Sequence, residues 1–134
     1  MSARKVLDSC AVIAYLENEP GANQVETLIK KARDAEKPLF MCVVNWGEVF
    51  YILQRAQGRE AAEGTMRSLE TLPIEVVDAD RALTRAAAEF KVSRKMSYAD
   101  CFAAALAQAR KAHLVTGDKE FKRVADSIGI EWLE

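Results

Sequence analysis

Apolar residues fall along this chain in two alternating arrangements. Short continuous runs, Lys5-Val6-Leu7, Leu39–Val44, Pro73–Val77, Ala112–Thr116 and Ile130–Leu133, read as strands. Between them the apolar positions recur every three or four residues, as on a helix with one buried face. Helices are expected over Cys10–Asn18, Ala22–Lys37, Asn45–Gln57, Arg59–Leu72, Ala79–Arg94, Tyr98–Lys111 and Lys119–Ser127. In the second of these Val25, Leu28, Ile29 and Ala32 face inward, and Lys30, Lys31 and Arg33 lie opposite. Pro20-Gly21, Pro38 and Gly58 close the first three helices, and Gly64 weakens the fourth.

Leu39–Val44 is six apolar residues in succession, the mark of a strand buried on both faces. Strands of that kind alternating with helices imply a parallel sheet of four or five strands covered on both sides, an α/β/α sandwich in three layers. All strands then end along one edge, and open parallel sheets bind their ligands there. At 134 residues the chain is the size of one domain, and it shows no linker or repeat.

Composition narrows the chemistry. Half the residues are apolar and 29% are charged, a globular balance. Nineteen basic and twenty acidic residues leave a net charge of −1, with none of the basic excess usual in nucleic-acid binders. The single histidine, His113, excludes a His-rich zinc site and disfavours a Ser-His-Asp triad. Cys10, Cys42 and Cys101 form no disulfide or zinc pattern, which suits a cytoplasmic protein, and their apolar surroundings lead one to expect buried, inert thiols. The apolar stretch after Arg4 and Lys5 is interrupted by Asp8 and lacks a small-residue cleavage site, so no secretory signal is expected. No apolar run approaches a membrane span.

Four acids occupy helix starts. Asp8 ends the first strand, and Asp118 follows the penultimate one. Glu48 and Asp100 stand three residues after Asn45 and Ser97, in segments resembling capping boxes. Helix capping accounts for each acid taken alone. Asp8, Glu48 and Asp118 begin helices that follow apolar strands and so share the edge where strands end. The placement of Asp100 depends on how its helix packs. If all four converge, ordinary capping does not account for the clustering. Two unit charges 4 Å apart repel by about 4 kcal/mol at an effective dielectric near 20, and a divalent cation relieves that cost. All-oxygen ligands suit Mg²⁺ or Mn²⁺, and a metal so held points to phosphodiester hydrolysis. Thr116 and Ser9 could add hydroxyl contacts, or could simply be a strand-end Thr and a helix-cap Ser.

Four segments carry a family resemblance over essentially the whole chain: Val6-Leu7-Asp8-Ser9, Asn45-Trp46-Gly47-Glu48-Val49, Ser97-Tyr98-Ala99-Asp100-Cys101-Phe102-Ala103-Ala104-Ala105-Leu106-Ala107, and Val115-Thr116-Gly117-Asp118-Lys119-Glu120-Phe121. In this order they resemble the PIN-domain family, and within it the VapC toxins of toxin–antitoxin systems. The resemblance implies a Mg²⁺- or Mn²⁺-dependent endoribonuclease with a parallel sheet in the order 3-2-1-4-5. Asp8, Glu48, Asp100 and Asp118 match its acidic quartet, Thr116 its hydroxyl residue, and Asn45 a polar residue that helps hold the site. RNA, a second copy of the chain and a VapB-type antitoxin are the implied partners.

With four acids assigned to a metal, the remaining chain is mildly basic, which removes the objection to RNA. Arg94, Lys95, Lys119, Lys122 and Arg123 flank two of the acids and are candidate phosphate contacts, or else a solvated face. Trp46 and Tyr98 could stack bases, although such rings more often pack in a core. Two other readings stay open. A receiver-like signalling domain would use Asp78, beside Asp80 after a third strand shortened by Pro73, as phospho-acceptor, and a non-catalytic binding module would use its acids only as caps.

Overall fold

The computed structural model describes residues 3–134. Its elements follow the strand–helix alternation: β1 (Lys5–Leu7), α1 (Ser9–Leu16), α2 (Ala22–Ala35), β2 (Leu39–Cys42), α3 (Val43–Gln57), α4 (Arg59–Leu69), β3 (Ile74–Val77), α5 (Arg81–Ser93), α6 (Tyr98–Arg110), β4 (His113–Thr116) and β5 (Ile130–Trp132). Lys119–Val124, expected as an α-helix reaching Ser127, is instead a 3₁₀ helix.

The five strands form one parallel sheet in the order β3-β2-β1-β4-β5. Alternate residues of a strand point to opposite faces, and the two cores follow from that rule. Val6, Phe40 and Leu114 face α5 and α6, where they meet Ala87, Phe90, Phe102 and Leu106. Leu7, Met41 and Val115 face α1 to α4, among Val12, Val25, Ile29, Val49, Leu53 and Met66. The central strands β1, β2 and β4 are thereby almost wholly buried, whereas β3, at the sheet's end, is partly exposed.

One boundary differs in a way that matters for the site. The apolar run Leu39–Val44 is not one strand: the strand stops at Cys42, and Val43 and Val44 open α3. A short apolar run carries no periodicity that separates buried strand from buried helix. Asn45 therefore lies inside α3, and Cys42 holds its N-cap position without a side-chain bond. Gly21 occupies a left-handed conformation before α2 (φ 98°), where an added Cβ would come within 2.9 Å of Leu133. Among the described residues no helix is long and apolar enough to cross a membrane.

Candidate active site

Because every strand is parallel, β1, β2 and β4 deliver their C-terminal ends to one edge. Asp8 follows β1 there and is 2% exposed. Its Oδ1 accepts from the Ala11 amide at 2.8 Å and so caps α1, as expected of an Asp before a helix. Its Oδ2 accepts from the Thr116 hydroxyl at 2.5 Å. Thr116, fully buried at the end of β4, accepts in turn from the Asp118 amide at 3.0 Å. A chain of hydrogen bonds thus runs from the Asp118 backbone through Thr116 to the Asp8 carboxylate.

The other acids arrive on helices. Ser97 caps α6 by accepting from the Asp100 amide, but Asp100 makes no return bond to the Ser97 amide among the described residues, so the capping box is half formed. The expected box at Asn45 is absent, since Asn45 is not a cap. Fully buried, Asn45 donates its Nδ2 to Glu48 Oε1 at 2.9 Å and to the Ala99 carbonyl at 3.1 Å, joining α3 to the first turn of α6. Asp118 caps the 3₁₀ helix by accepting from the Glu120 amide. That tight turn brings Glu120 into the site: carboxylate oxygens of Asp100, Asp118 and Glu120 all lie within 4.8 Å of one another. Glu120 stands within the last family segment but is assigned no site role from sequence, since a regular α-helix would turn it away from Asp118. Its spacing of two from Asp118 was the available signal.

Electrostatics link the five acids. Burial, reinforced by Asp100 and Asp118, pushes the Asp8 carboxyl up to about 7 against the opposing bonds from Thr116 and Ala11. Burial also raises Asp100, to about 6; Asp118, Glu48 and Glu120 add to the effect, and the Ser97 side chain opposes it. Among the described residues none of the five has a Lys, Arg or His ion-pair partner. A buried acidic group without a cation is costly. The donor set, carboxylates alone at a shared edge, suits a hard divalent ion such as Mg²⁺ or Mn²⁺. The buried Asn45 Oδ1 also lacks a hydrogen-bond partner, an acceptor left over beside Glu48.

Other candidates fall elsewhere. Ser9 opens α1, and its hydroxyl makes no hydrogen bond among the described residues. Cys10 is exposed, not buried as expected, because it lies on the outer side of the first turn of α1, next to Gly117; Cys42 and Cys101 are buried. Trp46 packs at a tilt against Phe50, with centroids 6.1 Å apart, and Tyr98 sets its edge against Phe102. Arg94 and Arg123 are not free cations: Arg94 bonds to Asp126 and Ser127, and Arg123 to the Lys95 carbonyl. Asp78 is exposed beside the outermost strand, and Asp80 caps α5, so neither joins the acidic edge as a receiver-like phospho-acceptor would require.

Known structures repeat this architecture. A VapBC complex from Salmonella typhimurium bound to DNA superposes with a TM-score of 0.77 at 18% identity, covering 96% of this chain and 97% of that one. VapBC2 of Rickettsia felis, bound to a fragment of its promoter, gives 0.76 at 18% identity over 97% and 98%. A sarcin–ricin-loop-cleaving VapC toxin of Mycobacterium tuberculosis gives 0.64 at 20% identity over 88% and 92%. No curated protein matches the chain by sequence. The PIN domain family model, however, matches residues 5–127. That span runs from β1 past the 3₁₀ helix and takes in all five acids of the edge, and on it the chain belongs to the PIN domain family.

Proposed function

We propose that the protein is a divalent-metal-dependent endoribonuclease, the toxin of a toxin–antitoxin pair, which hydrolyses RNA phosphodiester bonds. One observation carries the reading: five carboxylates gather at the ligand edge of a parallel sheet with no ion-pair partner among the described residues. Asp8, Glu48, Asp100 and Asp118 hold Mg²⁺ or Mn²⁺, and Glu120 joins them. The chemistry supplied by such an ion is polarisation of a phosphoryl oxygen and acidification of a water. Thr116 keeps Asp8 in place by donating to Oδ2 and is itself held by the Asp118 amide. Asn45 orients Glu48 and ties it to the turn that carries Asp100.

The family and the similarity of fold to VapBC complexes support a VapB-type antitoxin as partner. A second copy of the chain would cover apolar surface such as Tyr51 and Ile52 on α3. The absence of any disulfide among three cysteines suits action in the cytoplasm.

The test is to induce the wild-type protein and Asp100→Asn in cells and to map new RNA 5′ ends, with the purified proteins assayed in Mn²⁺ and in EDTA. New ends are expected from the wild type alone, and in vitro cleavage only with metal. The same ends from Asp100→Asn, or cleavage that survives EDTA, would overturn the reading.

A further inference from the structure

Three acids of the edge, Asp100, Asp118 and Glu120, sit on two chain segments that repel each other. Asp100 belongs to the α5–α6 loop and the first turn of α6, whereas Asp118 and Glu120 open the 3₁₀ helix. Among the described residues no backbone hydrogen bond joins residues 94–101 to residues 118–128. The two are nevertheless cross-linked behind the acids. Arg123, near the end of the 3₁₀ helix, donates Nη1 to the Lys95 carbonyl at 2.9 Å. From the other side Arg94 donates Nη2 to Asp126 Oδ1 at 3.2 Å, to Oδ2 at 3.3 Å and to Ser127 Oγ at 3.2 Å. Lys91 draws in the same loop by donating Nζ to the Met96 carbonyl at 2.6 Å. Beneath them the buried Met96 side chain shares a core with Phe121, Val124 and Ile128.

We infer that Arg94 and Arg123 are positioning residues: a reciprocal strap that holds the Asp100 turn against the Asp118–Glu120 turn, so that the metal site is assembled before the ion arrives. The inference rests on the metal reading above and adds a pair of residues outside the carboxylate set. The physical need is specific. Like charges within 4.8 Å push these turns apart in the metal-free protein, and the backbone supplies no bond across the gap. A planar guanidinium offers several donors in fixed directions, so it can fasten a carbonyl and still sit on packed apolar residues. The strap also reassigns two cations that, from sequence position, serve equally well as phosphate contacts. Lys119 and Lys122, exposed and without an ion-pair partner among the described residues, keep that option.

The experiment measures Mn²⁺ affinity by titration calorimetry without RNA, and amide hydrogen exchange at residues 97–101 in EDTA. The variants are Arg123→Ala, Arg123→Lys, Arg94→Ala and, as a charge control, Lys122→Ala. Outer residues that orient metal ligands typically change affinity by about 10- to 100-fold when removed. Arg123→Ala and Arg94→Ala are each expected to weaken Mn²⁺ about tenfold and to speed exchange at 97–101, with Arg123→Lys recovering part of both. Removing a positive charge beside the site has the opposite electrostatic sign, so Lys122→Ala is expected to leave affinity unchanged or to raise it. Arg123→Ala binding Mn²⁺ as tightly as the wild type, with unchanged exchange, would overturn the strap. A wild type that binds no Mn²⁺ overturns the metal reading instead, and the exchange rates still decide whether the arginines hold the turn.

Discussion

The two edges of the sheet treat charge in opposite ways. Where the strands begin, three cations have partners. Lys5 pairs with Glu131 at 2.8 Å, and Arg4 donates to the Pro38 carbonyl through Nε and Nη2 while lying 4.3 Å above the Phe40 ring. Arg110 covers the same ring at 4.7 Å and approaches Glu75 at 3.9 Å. Where the strands end, five acids have no ion-pair partner among the described residues, and one of them is buried. The same β-strands run between the two edges, so the fold alone does not impose the difference. The second edge carries an electrostatic cost that a bound divalent ion would remove.

The largest break in that comparison comes from neutralising the costly edge. Asp8→Asn keeps an acceptor for the Ala11 amide but removes the charge. RNA cleavage with Mn²⁺ is expected to fall by more than about 100-fold, beyond the loss usual for an outer-sphere partner. In EDTA at pH 8 the same variant is expected to melt higher than the wild type. Asp8 is held near 7 against an ordinary 3.8, a difference of about three pKa units, and each unit is about 1.4 kcal/mol. The gain is thus bounded at about 4 kcal/mol. A variant that lost activity only because it unfolded would melt lower, so calorimetry and the cleavage assay together separate the two outcomes.

Metal should reverse the pH dependence of that edge. In the metal-free protein Asp8 and Asp100 keep their protons to about 7 and about 6, whereas the unfolded chain releases them near 3.8. Between those values the folded state binds more protons, so stability falls as pH rises from about 4 to about 7 and levels off above. An ion that binds only the folded protein stabilises it by about 2.7 kcal/mol at a hundred times its dissociation constant. At about 3 °C per kcal/mol for a chain of this size, that is about 8 °C at pH 8. The rise should shrink toward pH 5, where protons compete for the carboxylates. A melting temperature indifferent to Mn²⁺ at pH 8 would favour the reading of the acids as caps.

A smaller effect tests the link between β4 and β1. Thr116→Val keeps the shape of the side chain and removes the hydroxyl that donates to Asp8 and accepts from the Asp118 amide. Breaking buried hydrogen bonds costs about 1–3 kcal/mol, to be read from denaturant unfolding. The Asp8 carboxyl should also move higher, because the Thr116 bond lowers it. The fall in metal-free stability with rising pH then extends to higher pH in this variant.

How much of this edge the residues disclose depends on the kind of signal. Asp8 and Asp118 are legible because each is an acid at a strand end, and parallel topology carries such positions to one place, whereas Asp100 starts α6, ahead of β4, and its position depends on how that helix packs. Apolar runs at β1 and β4 likewise mark the central strands. The register of Asn45 is not legible: the continuous run Leu39–Val44 hides the point at which strand becomes helix. Glu120 depends on a 3₁₀ turn, and a local pattern that fits α-helix equally well conceals it. Arg94 and Arg123 look like surface cations until tertiary structure brings Asp126 and the Lys95 carbonyl within reach. Short-range chemistry is written in sequence neighbours, whereas these bonds join positions about thirty residues apart.

The smallest expected effect lies at the opposite edge and sharpens the comparison from that side. Glu131→Gln removes the acid paired with Lys5 but leaves an amide oxygen that can accept from it. Both side chains retain some exposure, 18% and 33%, so water and salt already screen the pair. An exposed ion pair contributes about 0–1 kcal/mol, and the variant should lose no more than that in denaturant unfolding, with the difference from the wild type shrinking at high salt. Cleavage should stay within about twofold, because the substitution lies away from the acids that follow β1 and β4. A loss of several kcal/mol, or a fall in cleavage comparable to Asp8→Asn, would mean that the edge where strands begin is coupled to the acidic one through the strands. An unchanged protein would show that cleavage depends on the acids at the strand ends and not on the ion pair at the strand starts.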